Sequence, residues 1–133
     1  MSPHDLVATH KARPCRVLFV EDDESTRDAF AQYLGDAGLT VHVAARGREA
    51  ILVAREARPN VVVLDLWLPD VDGYSVIEVL RSDPDTAAVP VIVLTGAIPE
   101  WERLRGRAAA IVMKPCAPRE LLSLIRLTAE ATA

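Results

Sequence analysis

At 133 residues the chain has room for one domain. Half of its residues are hydrophobic but only 5% are aromatic, so the core must be aliphatic, which speaks against an aromatic-stacking binding module. With 15 basic and 19 acidic residues and a formal net charge of −4, the chain lacks the basic footprint of a direct nucleic-acid binder.

No apolar run approaches the roughly 20 residues that span a bilayer, so no membrane insertion is expected. The opening MSPHDLVATHKARP lacks the apolar core of a secretory signal. A cytoplasmic protein is the expectation. Cys15 and Cys116 have no second Cys/His pair beside them, and they read as two reduced thiols rather than a zinc site or a disulfide.

Residues 1–14 are polar, contain two prolines and show no period, which reads as a flexible lead-in to a domain over 15–131. RVLFV (16–20) is a short apolar strand that runs into Glu21-Asp22-Asp23-Glu24. Helix formers follow over 25–37, with Phe30, Leu34 and Ala37 spaced for one face and Gly38 as the stop. LTVHVA (39–44) alternates and is β-branched, hence a strand. REAILVAREA (48–57) is a helix closed by Pro59. VVVLDL (61–66) is a strand buried on both faces that ends in the turn LPDVDG, where Asp70 and Asp72 shape the approach to Gly73. YSVIEVLRS (74–82) is a helix, VIVLT (91–95) a strand, WERLR (101–105) one or two helical turns, and AAAIVM (108–113) a weaker strand. PRELLSLIRLTAEA (118–131) is a helix with proline near its first position.

The β-α unit thus recurs about five times. Continuous apolar strands between amphipathic helices imply a parallel sheet covered on both faces, an α/β doubly wound architecture. Right-handed crossovers place every strand's C-terminal end on one edge, where such sheets carry their functional sites. At that edge fall Glu21 and Asp22, Asp65, Thr95, and Lys114-Pro115. Three carboxylates gathered there need cations among them. Lys114 supplies one charge and a divalent ion supplies two more. Oxygen ligands without His or Cys suit Mg²⁺ (or Mn²⁺) and not zinc.

The stretches VLFVEDDESTR, VVVLDLWLPDVDG, VIVLTG and VMKPCAP, in this order, resemble the receiver domain of two-component response regulators over roughly residues 15–130. The resemblance implies a flavodoxin-like fold with a five-stranded sheet in the order 2-1-3-4-5. It makes Asp65 the phosphoacceptor. Asp22 would bind the metal directly, Glu21 mainly through water, and the Trp67 backbone carbonyl would complete the protein ligands. Thr95 and Lys114 would hold phosphoryl oxygens. The donor would be a phosphohistidine on a histidine kinase or a histidine phosphotransfer protein, the output a downstream protein target, and the chain a regulator and not a conventional enzyme.

Two features depart from that family pattern. The interval from Thr95 to Lys114 is about one helical turn short, implying a truncated or irregular fourth helix, and Ile111 stands where an aromatic residue is common. Trp67 could screen the acceptor from water. Two rivals stand beside the receiver reading. One is a receiver-like scaffold without phosphotransfer. The other is an aspartyl-nucleophile phosphatase, which would normally carry a second Asp after the first strand and a substrate cap.

Overall fold

The computed structural model describes residues 14–132. The expected lead-in, with His4 and His10, lies outside the described residues except for Pro14. Five strands alternate with five helices: β1 (Arg16–Val20), α1 (Glu24–Asp36), β2 (Thr40–Ala44), α2 (Gly47–Ala57), β3 (Val61–Leu64), α3 (Gly73–Ser82), β4 (Val91–Thr95), α4 (Trp101–Leu104), β5 (Ala110–Met113) and α5 (Pro118–Ala131). The strands pair in the order β2-β1-β3-β4-β5, all parallel.

Because successive strand residues point to opposite faces, each apolar run feeds two cores. Leu18, Val20, Val62, Leu64, Val91 and Val93 pack with Ala50 and Ala54 of α2, Val76, Ile77 and Leu80 of α3, and Leu104 of α4. The alternate positions Val17, Phe19, Val61, Val63, Ile92 and Leu94 pack with Leu34 of α1 and with Leu121 and Ile125 of α5. That two-sided burial explains why β1, β3 and β4 carry no polar residue after Arg16 until each reaches its C-terminal end.

The helix ends follow the local chemistry. Asp23 caps α1 by accepting from the Thr26 N–H at 2.9 Å, and Asp72 caps α3 by accepting from the Ser75 N–H at 2.8 Å. Gly38 takes the left-handed conformation at φ +100° just beyond α1. Pro118 opens α5. Asp70 does more than shape its turn. Its two carboxylate oxygens accept from the Gly47 and Arg48 N–H groups at 2.8 and 3.0 Å, so it caps α2 from the β3–α3 loop.

Two expectations need correction. β3 ends at Leu64 and not at 66, although the Asp65 N–H still bonds the Val20 carbonyl at 3.3 Å. β5 starts at Ala110 and not at 108, because the Ala108 N–H turns back to the Leu104 carbonyl at 3.1 Å. Cys15 and Cys116 flank β1 and β5, with β3 and β4 between those strands. Both cysteines are free thiols, and burial pushes each one's pKa up.

The fourth helix is a single turn of four residues, the truncation expected from the short 95–114 interval. With so little cover, β5 is only half-buried, Ile111 packs at the margin of the α2/α3 core, and Met113 is exposed. No helix among the described residues is long and apolar enough to cross a membrane.

Candidate functional site

The parallel register brings the strand ends level: Val20 pairs with Leu64, Leu64 with Val93, and Thr95 with Met113. The next residues out are Glu21, Asp65 and Lys114. Sequence distance is removed by the sheet, and one carboxylate oxygen each from Glu21, Asp22 and Asp65 lie within 4.8 Å of one another.

Lys114 closes this group. Its Nζ donates to Glu21 Oε1 at 2.5 Å and to Asp65 Oδ2 at 2.8 Å. Glu21 is 2% and Asp65 7% exposed, so the lysine charge compensates two carboxylates that water barely reaches. Burial alone would lower the Lys114 pKa, but the hydrogen bonds and charges of Asp65 and Glu21 outweigh it and hold the ammonium form above its ordinary range. The backbone carries the lysine to this point, with the Lys114 N–H bonded to the Thr95 carbonyl at 2.8 Å.

Each remaining oxygen of the two buried carboxylates also has a donor. Glu21 Oε2 accepts from the Asp23 N–H at 3.1 Å, and Asp65 Oδ1 accepts from the Trp67 N–H at 3.0 Å. The Asp65 carboxylate is therefore fixed at both ends, while Asp22 is the exposed member of the trio. Trp67, two positions after Asp65, has an exposed side chain, 57% accessible to solvent. Thr95 is fully buried, and its Oγ1 accepts from the Ala97 N–H at 3.4 Å, leaving its own proton free to donate. An open recess of about 380 Å³ adjoins Lys114 between α1 and the β5–α5 loop, lined by Thr26, Phe30, Leu94, Pro115 and Cys116.

The donor set suits a hard divalent cation. All three candidate ligands are carboxylates, and the formal −3 of the group against the +1 of Lys114 leaves a charge that such an ion balances.

The α3 start approaches the Asp65 backbone closely. A Cβ at Gly73 would lie 2.7 Å from the Asp65 carbonyl oxygen and 2.7 Å from Leu66 Cα, so only glycine fits. Two residues near the site were not singled out from the sequence. Arg27 donates to the Glu21 carbonyl at 3.2 Å, and Tyr74 Oη accepts from the Glu100 N–H at 2.6 Å. Neither contact has a local signature, since each joins positions from separate turns of chain.

Comparison with known proteins agrees with this geometry. The model of the response regulator receiver domain matches residues 17–126. A probable transcriptional regulator ycf27 from Pyropia yezoensis is 39% identical over 114 residues, covering 84% of this chain and 46% of that protein. The DNA-binding response regulator MtrA of Mycolicibacterium smegmatis is 35% identical, covering 84% of this chain and 49% of its own. The chain thus spans about half the length of these curated relatives. Among solved structures, a CheY-like response regulator receiver domain protein from Methanospirillum hungatei JF-1 superposes with a TM-score of 0.82 at 28% identity, covering 90% of this chain and 96% of that one. The chemotaxis protein CheY4 of Vibrio cholerae gives 0.80 at 29% identity, with 86% and 98% covered. With its 2-1-3-4-5 sheet and its acidic edge in place, the chain belongs to the response regulator receiver domains.

Proposed function

We propose that Asp65 accepts a phosphoryl group from a phosphohistidine on a histidine kinase or histidine phosphotransfer protein, and that the modified domain signals through contacts with a downstream protein. The observation that carries this reading is the Lys114 ammonium held between Glu21 and Asp65, with every buried carboxylate oxygen of the pair directed. An Asp65 oxygen attacks phosphorus as the P–N bond to the donor imidazole breaks. The bonding pair goes to the imidazole nitrogen, which takes up a proton.

Transfer of this kind rests on positioning and charge stabilisation. The paired hydrogen bonds orient the Asp65 carboxylate. Lys114 and the Thr95 hydroxyl are within the same edge to stabilise equatorial oxygens of the transferring group. Glu21, Asp22, Asp65 and the Trp67 backbone carbonyl would hold Mg²⁺ (or Mn²⁺), which supplies neutralisation of phosphoryl charge when bound. The product replaces one negative charge by about two and adds three acceptor oxygens.

The relatives' names describe transcriptional and DNA-binding regulators. For the present chain, the negative balance of charge supports output through protein contacts and not through direct nucleic-acid binding.

Intact mass after incubation with a small phosphodonor and Mg²⁺ tests the reading. Wild type is expected to gain the mass of one phosphoryl group and Asp65→Asn none. No gain in wild type supports the scaffold, and catalytic phosphate release from other substrates supports the phosphatase; either result removes the proposal.

A further inference from the structure

A four-residue helix cannot stand on its own hydrogen bonds, so α4 must be held by what it touches. Its one buried residue is Leu104, which enters the α2/α3 core. The remaining ties run to α3. The Glu100 N–H, at the helix start, donates to Tyr74 Oη at 2.6 Å, and the Arg103 guanidinium lies 4.1 Å above the Tyr74 ring. Arg107 pairs with Glu78 at 3.2 Å, and Arg81 donates to the Arg107 carbonyl at 2.8 Å. Glu100 carries no side-chain cap for α4, so the Tyr74 oxygen substitutes for one at the N–H next to the first turn.

Tyr74 is also the residue after Gly73, whose backbone rests against that of Asp65 and Leu66. One end of the 96–100 loop is therefore fixed to α3 beside the acceptor. The other end is fixed to Thr95, through the 3.4 Å bond from the Ala97 N–H to Oγ1. The two fixed points differ in strength. The Thr95 contact is at the long limit of a hydrogen bond, whereas the Tyr74 contact is short and part-buried.

We propose that Tyr74 is a positioning residue that latches residues 100–107 onto α3 while Asp65 is unmodified, and that phosphorylation of Asp65 opens this latch. The coupling rests on Asp65 being the phosphoacceptor; the latch itself does not. Modification draws the Thr95 hydroxyl toward the new oxygens, and the covalent chain of residues 95–97, not the long Thr95–Ala97 hydrogen bond, carries the short loop with it. Only two residues separate the Ala97 and Glu100 amides, so the loop has little slack, and movement at Ala97 pulls the Glu100 N–H off the Tyr74 oxygen. Once that bond is lost, one turn of helix with a single buried leucine has little to keep its register. The readout element is then this segment's change of order, in place of the shift of a full-length fourth helix.

Amide hydrogen exchange on the full chain decides it. Tyr74→Phe keeps the ring and its stack with Arg103 but removes the oxygen. In the unmodified protein it is expected to speed exchange at amides 100–105 about fivefold, with strand amides unchanged. Glu100→Pro removes the donor from the opposite side at a φ of −81° that proline accepts. It should reproduce the effect, and the double variant should add nothing further. In wild type, beryllofluoride with Mg²⁺ should raise exchange of the same amides, and in Tyr74→Phe it should add no further increase.

Unchanged exchange in both single variants overturns the latch. Wild-type amides 100–105 that hold or gain protection in the beryllofluoride complex overturn the opening. Failure of Asp65 to gain a phosphoryl group by intact mass overturns the functional reading and the coupling together, while the exchange of the unmodified variants still decides the latch.

Discussion

Removing the charge of Lys114 exposes the electrostatic tension that the fold contains. In Lys114→Gln the Glu21 and Asp65 carboxylates remain buried, with ligand oxygens within 4.8 Å, and lose the ammonium that lay between them at 2.5 and 2.8 Å. Two unit charges at that separation repel by about 3 kcal/mol at an effective dielectric constant of about 20. The lysine side chain is 29% exposed, so water entering beside the glutamine screens part of this, and the expected loss at pH 7 is about 2–3 kcal/mol. With an m-value of roughly 1–3 kcal/mol per molar urea, the unfolding midpoint should fall by about 1–2 M.

The response to Mg²⁺ checks the cause. In wild type the Lys114 pKa is raised on folding, so its contribution is fully present below 10.5 and fades only as pH rises through the higher folded value. Added Mg²⁺ should stabilise the variant more than wild type. Urea titrations at pH 7 with and without Mg²⁺ are sufficient. An unchanged midpoint at pH 7, or equal stabilisation of variant and wild type by Mg²⁺, refutes the charge argument and leaves only a packing role for the lysine.

Two further outcomes are expected. Asp70→Ala should cost about 1 kcal/mol in urea unfolding at pH 7 by uncapping α2. Burial pulls the Asp70 pKa upward, but the Arg48 and Gly47 N–H groups outweigh it and hold the carboxyl at about 2, so the difference from wild type should be present above its ordinary 3.8 and vanish as pH falls toward about 2. On the proposed function, Trp67→Ala should hasten loss of the phosphoryl group several-fold, measured by intact mass over time, by removing a bulky exposed indole two positions from Asp65; an unchanged rate assigns Trp67 to the surface alone.

The sequence revealed what depends on periodicity and on strand ends. Buried apolar runs announced β1, β3 and β4, and the polar residue that ended each run marked the site edge. Parallel topology then did the assembling, which is why Glu21, Asp65 and Lys114 could be grouped from residues far apart in the chain. The short fourth helix was visible too, because the count from Thr95 to Lys114 left too little chain for it. Contacts that depend on side-chain reach were not visible. Asp70 looked like a turn residue because its partners, Gly47 and Arg48, lie across a whole β-α unit. Tyr74 looked like an ordinary first-turn residue of α3, and nothing near it in sequence points to Glu100. The strand boundary at 108–110 failed because a run of alanines has no periodic signal, and the turn was set by a bond back to Leu104.

The cap that Asp70 places on α2 has a consequence for anyone recombining such domains. The loop after Asp65 is not a self-contained cassette. Its carboxylate terminates another element, and a Cβ at Gly47 would collide with the Val71 side chain of that same loop. A graft of residues 66–72 from another family member will transfer cleanly only if residues 46–48 travel with it. The smallest exchangeable part of this site is therefore two segments that are separate in the gene and joined only in space.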